Sequence, residues 1–194
     1  MSGSADATAT ATATNGANVP VTAMSRFAPQ TAAYTALVIG TNRPSYYNLN
    51  NNPDASFWWL VVVDLTNLNV VANALSDGVH VPPDVQPYLN NSRYFVFCIG
   101  NCLQGWQIPY GDFYSFLQQV GSGQQLARLE QVYHQLSSGI IHYYSYLLAT
   151  TMDATTYPGF ELLSFTNATV LAMQFMPVTV GGQTTYAPID PFTS

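Results

Sequence analysis

The sequence predicts one layered domain of the α/β or α+β class, with five to seven strands and two or three helices preceded by an extended N-terminal arm. Three observations point to it. Phe57–Asp64 (FWWLVVVD) is apolar at both alternating positions, the pattern of a strand covered on two faces, residues 94–100 (YFVFCIG) read as another buried strand, and residues 140–152 (IIHYYSYLLATTM) as a long strand with a pronounced aromatic bias. Between the second and third runs, apolar residues recur at helical spacing in two segments split by Gly121-Ser122-Gly123. The first 33 residues, with an Ala-Thr alternation over 7–14, are too poor in large apolar side chains to fill a core. A chain of 194 residues is long enough for one sizeable core. The implied division is an Ala/Thr-rich arm at 1–33, a body at 34–180 and a C-terminal tail at 181–194.

The elements follow in order. Residues 34–41 (YTALVIGT) read as a strand stopped by Asn42-Arg43-Pro44, and an Asn-rich loop is expected over 46–53. Thr66-Asn67 turns the Phe57–Asp64 strand into a partner at 68–75, a hairpin, and Asp77-Gly78 marks the next turn. Pro82-Pro83-Asp84 suits the opening of a short helix limited by Pro87. Asp112 is the expected N-cap of a helix that puts Phe113, Phe116, Leu117 and Val120 on one face. The next helix aligns Leu126, Leu129, Tyr133 and Leu136 and stops at Gly139. A loop at 153–158, a strand at 160–165 and a last strand at 169–178 precede Gly181-Gly182 and a Pro-containing tail.

Charge excludes several functions. Only 7% of residues are charged, against about 25% in ordinary soluble domains. There is no lysine, and the four arginines (Arg26, Arg43, Arg93, Arg128) are scattered through a chain of net charge −6. Phosphate binding needs clustered cations, so nucleic acid and anionic membrane surfaces are not expected partners. No run reaches the ~18 apolar residues of a membrane span. The start, MSGSADATATATAT, has neither the basic nor the apolar region of a secretion leader. Intracellular assembly followed by release, as for a virus particle, fits that start. A skin so short of ionic groups reads as one covered by neighbours.

No catalytic motif stands out. Cys98 and Cys102 read as buried reduced thiols, with a local disulfide around a Gly100-Asn101 turn as the alternative. His80, His134 and His142 lack motif partners and read as surface or capped core histidines, so no metal site and no cofactor are expected. Ser122 has no strand-preceded nucleophile elbow and reads as linker. Asp64, Asp112, Asp153 and Glu161 are the carboxylates available for paired acid–base work, but their spacing favours no pair, and turns and caps account for most of them.

Aromatic side chains carry the binding expectation. Tyr46, Tyr47, Tyr88, Trp106, Tyr110 and Tyr157 lie in or beside loops, where Trp and Tyr dominate interface hot spots and stack on sugar rings. Core packing competes with that reading, as alternation requires for one of Tyr143 and Tyr144.

From Phe57 to Phe165 the order is FWWLVVVD, a hairpin into NLNVVANAL, a Pro-containing link, YFVFCIG, the helical stretches GDFYSFLQQV and GQQLARLEQVYHQL, then HYYSYLLATTM and a Pro158-Gly159 turn before Glu161. This order resembles the interleukin-like epithelial–mesenchymal-transition inducer domain, over slightly more than half the chain. The resemblance implies a lectin-like β-sandwich flanked by helices, and a carbohydrate- or protein-binding module rather than an enzyme. The chain lacks that family's usual basic residues and the cysteines of its secreted members.

The function expected from the sequence is that of a non-enzymatic structural subunit of a large symmetric assembly, a capsid, decoration or tail protein of a phage virion. Its partners would be copies of itself and other subunits, contacted through charge-poor flanks and the arm. Deleting residues 1–30 would then leave a folded body unable to assemble. The alternative is a lectin-like module that binds glycan on a particle or extracellular surface.

Overall fold

The computed structural model describes residues 12–13, 16–26, 34–46, 49, 57–102, 108–135, 144–153, 159–166 and 168–190. Among these residues the chain forms strands β1 (Thr12–Ala13), β2 (Val19–Arg26), β3 (Tyr34–Ile39), β4 (Phe57–Asp64), β5 (Val70–Ser76) and β6 (Tyr94–Cys102). Helices α1 (Gly111–Gln119) and α2 (Gln124–Gln135) follow, then β7 (Tyr144–Thr151), β8 (Phe160–Ser164), β9 (Ala168–Val180) and β10 (Gln183–Ile189). Every strand pairing is antiparallel, so the domain belongs to the α+β class.

Three layers stack in the order sheet, sheet, helices. The central sheet runs β5-β4-β6-β7-β8, in register at Trp59↔Leu75, Trp59↔Ile99, Ile99↔Leu147 and Leu147↔Leu162. One face presents Trp58, Leu60, Val62, Val96, Cys98, Tyr146 and Leu148 to Phe113, Phe116, Leu117, Leu126 and Leu129 of the helices. The other presents Trp59, Val61, Val63, Phe95, Phe97, Ile99 and Leu147 to the outer sheet. Burial on both faces is why β4 and β7 show no polar alternation: every residue of each is buried. Gly100 admits the Trp58 ring, since a Cβ there would lie 3.2 Å from it.

The outer sheet places β2 between β3 and β9, with β10 on the far side of β9 and β1 on the end of β9. Ala23 stands opposite both Leu37 and Leu171. Val21, Ala23, Leu37, Ile39, Leu171, Met173 and Phe175 fill the gap to the central sheet.

Several expectations change here. Among the described residues ten strands are formed rather than five to seven, the additions being β1, β2 and β10. Residues 19–26, expected to contribute nothing to a core, supply the strand that joins β3 to β9, and Val21 and Ala23 are fully buried. The stretch after Val180 turns at Gly181 and Gly182, both at positive φ, and pairs with β9 as β10 instead of trailing off. Asp112 sits inside the first turn of α1, and the N-cap is Tyr110, because the orphan N–H of Phe113 donates to Val79 O at 2.9 Å. The segment after Pro82-Pro83 makes only a single 3-10 turn, Gln86–Tyr88. Gly100 and Asn101 lie in β6 and not in a turn, and Cys98 is buried. Leu136 and Gly139 lie outside the described residues, as does most of the arm.

Candidate functional site

Among the described residues, the central sheet is covered on both faces and the outer sheet on one. Along β2, Val21, Ala23 and Ser25 point inward, which turns Thr22, Met24 and Arg26 outward. Register then builds two outward rows, Val38–Thr22–Ala172 and Ala36–Met24–Val170. Among the described residues, no helix or strand packs over these rows. Val170 is 51% exposed, the largest value for a large apolar strand residue. The rows carry no charge, and Arg26 lies one register pair beyond Ser25, opposite Tyr34 and Ala168. A β-sheet face with small apolar and neutral polar side chains offers flat contact area and little desolvation cost.

Beneath this face runs a buried hydroxyl row. Thr35, Ser25 and Thr169 stand opposite one another on β3, β2 and β9 and point toward the central sheet. Ser25 Oγ donates to Gly100 O at 2.5 Å, while the hydroxyls of Thr35, Thr169 and the facing Ser145 have no hydrogen-bond partner.

On the helix side, Glu161 of β8 reaches the start of α2. Its Oε1 accepts from Ser122 Oγ (2.5 Å), Tyr146 OH (2.7 Å) and the Leu126 N–H (3.0 Å), and its Oε2 from the N–H groups of Gly123 (3.2 Å) and Gln125 (2.9 Å). Ser122 and Tyr146 also touch each other at 2.6 Å. Gly123 precedes α2 and has no side chain to cap it, so a carboxylate from another strand satisfies the orphan donors. Burial works to raise the Glu161 pKa, but donation from Ser122, Gln125, Tyr146 and Gly123 outweighs it and holds the carboxyl below its usual value. Burial pushes the Tyr146 phenol well above its usual value. With all its lone pairs engaged, Glu161 staples α2 to β7 and β8, and Ser122 is a member of that staple rather than plain linker.

Asp64 ends β4 and is held at about 2, chiefly by hydrogen bonds from the Arg93 guanidinium, with Thr66 donating from backbone and side chain. His80 pairs with Asp77 at 3.0 Å in the exposed turn after β5, and His134 with Glu130 at 3.8 Å along α2. His142 lies outside the described residues.

The three aromatic candidates among the described residues, Tyr46, Tyr88 and Tyr110, are not brought together. Tyr46 is buried against Phe57 and Trp59, with ring centroids 5.0 and 5.4 Å away. Tyr88 is half-buried, stacks edge-on with Tyr94 and donates its hydroxyl to Val71 O at 3.1 Å. Tyr110 is 53% exposed at the start of α1, on the opposite side of the central sheet from Tyr46. Tyr47, Trp106 and Tyr157 lie outside the described residues, and so does Tyr143. Sequence reasoning passed over Thr22, Met24, Val170 and Ala172, whose only signal was period-2 alternation around Val21 and Ala23 in a segment read as low complexity. No helix of the described residues is long and apolar enough to cross a membrane. No protein-family model matches the chain, and no curated protein sequence matches it.

Proposed function

We propose that this protein is a structural subunit of a large symmetric assembly, of the kind that builds a virion as a capsid, decoration or tail component of a phage. The observation that carries the reading is the outer face of β3, β2 and β9, over which no described helix or strand packs, uncharged across two full rows in a chain without lysine. Permanent interfaces are apolar and depleted in charge at their centre. The protein acts by packing, with this face against neighbouring subunits. Pure protein is expected to sediment as a large oligomer. Val170→Glu, which buries a charge in every such contact, should leave the circular dichroism unchanged while shifting the protein to monomer. A wild-type chain that stays a soluble monomer at high concentration overturns the reading.

A second reading, a lectin-like module binding glycan on a particle or cell surface, is favoured by one observation. A lectin-like sandwich flanked by helices is the fold this reading expects, and the described residues form two packed sheets with helices on one side. Tyr110, exposed at 53%, is the described aromatic free to stack on a sugar ring. A glycan array would show saturable binding that drops about tenfold or more in Tyr110→Ala; an array with no bound sugar removes this reading.

A further inference from the structure

A sheet edge is a template for another strand unless something blocks it. The described edges differ in this respect. The edge strand β5 receives the Tyr88 hydroxyl at Val71 O. The edge strand β10 contains Pro188 and donates Tyr186 N–H and Thr185 Oγ1 to Leu65 O. The edge strand β8 spans only five residues. The edge strand β1 spans only two residues, whereas the edge β3 is six residues long and contains neither proline nor charge. Gly40 N–H donates to Pro20 O, which sets the phase of the β2–β3 ladder. Residues 36 and 38 therefore bond to β2, and the N–H and C=O groups of Thr35 and Leu37 point away from it. Ile39, next in that series, is already closed by Asn42 at 2.9 Å in both directions.

Alongside this edge is a recess of about 170 Å³ lined by Thr35, Leu37, Arg43, Pro44, Tyr46 and Trp59. Thr35 is 3% exposed and its hydroxyl has no partner. Arg43 makes no ion pair with any described carboxylate. The site thus offers main-chain donors and acceptors, one hydroxyl inside a small recess and one cation at its end. An extended, small-residue, hydroxyl-bearing segment with an acidic residue at one end matches all three, in the manner of strand addition.

Such a segment exists in this chain. Residues 7–11 read ATATA, with no proline and no charge, and Asp6 before them is the single acidic residue among the first 33. Thr12 and Ala13, which continue the alternation, already pair as a strand in the outer sheet. Eleven residues precede β1, enough to span on the order of 36 Å when extended. We propose that residues 7–11 of a second copy add to the β3 edge as an antiparallel strand, with a threonine in the recess near Thr35 and Asp6 beside Arg43. The inference rests on the assembly reading above and names the contact through which neighbours are linked.

The test uses the full chain and reads the concentration at which it assembles, by sedimentation. Thr35→Pro removes one outward N–H, leaves the ladder to β2 intact, and should raise that concentration at least tenfold. Asp6→Arg and Arg43→Glu should each raise it about fivefold, and the two together should restore it. Assembly of Thr35→Pro and Asp6→Arg at the wild-type concentration, or reversal variants that fail to rescue each other, overturns this contact while the assembly reading stands. A Thr35→Pro effect without any Asp6 effect assigns the edge to another strand and also overturns it. A wild-type chain that never assembles removes the assembly reading and this contact with it.

Discussion

Deletion of residues 1–30 is expected to abolish cooperative folding, whereas deletion of residues 1–11 should leave a domain as stable as the full chain. The longer deletion removes β2, the strand that joins β3 to β9. Without it β3 has no ladder partner among the described residues, and the outer sheet shrinks to the β9–β10 hairpin. Val21 and Ala23 leave the core, Leu37 and Ile39 lose their anchorage, and Trp59, Phe95, Phe97 and Ile99 lose their cover. Each large apolar side chain returned to water costs about 1.5–3 kcal/mol, so the sum exceeds the ~5–15 kcal/mol that holds a domain together. Near-ultraviolet circular dichroism and urea unfolding would report the loss, since Trp59 is packed at that boundary. A 1–30 deletion that unfolds cooperatively at the wild-type midpoint would show that β2 is dispensable. The shorter deletion is therefore the one suited to asking what the arm does in assembly.

How far the fold was legible follows from where the bulk lies. The central sheet announces itself because it is covered twice: FWWLVVVD, YFVFCIG and the aromatic run before Met152 place large side chains at consecutive positions. The outer sheet takes the complementary share of the same core. Opposite Trp59, Phe95 and Phe97, its inward positions on β2 are Val21, Ala23 and Ser25, small residues that fit because the facing side chains are large. A strand of small residues with Pro20 at its start does not stand out from low complexity. Pro177 and Pro188 similarly hid the β9–β10 hairpin, although Gly181-Gly182 is a two-residue turn signal of the primed type. The outward face of β3, β2 and β9 could not be found before β2 was known to be a strand, since Thr22 and Met24 belong to a face only through their register with Val38, Ala36, Ala172 and Val170.

The helical staple was half legible. Glu161 is an acid inside the otherwise apolar strand FELLS, a local conflict that asks for a partner. The partners lie 15 to 39 residues away, on β7 and at the start of α2, and no local pattern points to them. Ser122-Gly123 looked like a break between helices because its capping group is supplied through space. The role of Glu161 comes from its five donors.

Glu161→Ala is expected to cost about 3 kcal/mol at neutral pH. The loss of the cap on α2 accounts for about 1 kcal/mol, and the stranding of donors from Ser122, Tyr146 and the helix amides supplies the rest. Glu161→Gln keeps one acceptor and the shape, and should cost about half as much. The pH dependence separates this from a packing defect. The folded-state pKa of Glu161 lies below its unfolded value of 4.5, so the stabilisation is fully present above that pH and is lost as pH falls through the folded pKa. The stability gap between wild type and Glu161→Ala should therefore narrow on acidification below about pH 4.5. Asp64, held at about 2 against 3.8 unfolded, keeps its contribution to lower pH, losing it between those values in wild type and variant alike. Urea midpoints measured at pH 7, 5, 4 and 3 for the three proteins would decide the matter. A gap that stays constant across that range would mean that the carboxylate charge contributes nothing, and a gap below about 1 kcal/mol at pH 7 would mean that the amides and hydroxyls find other partners.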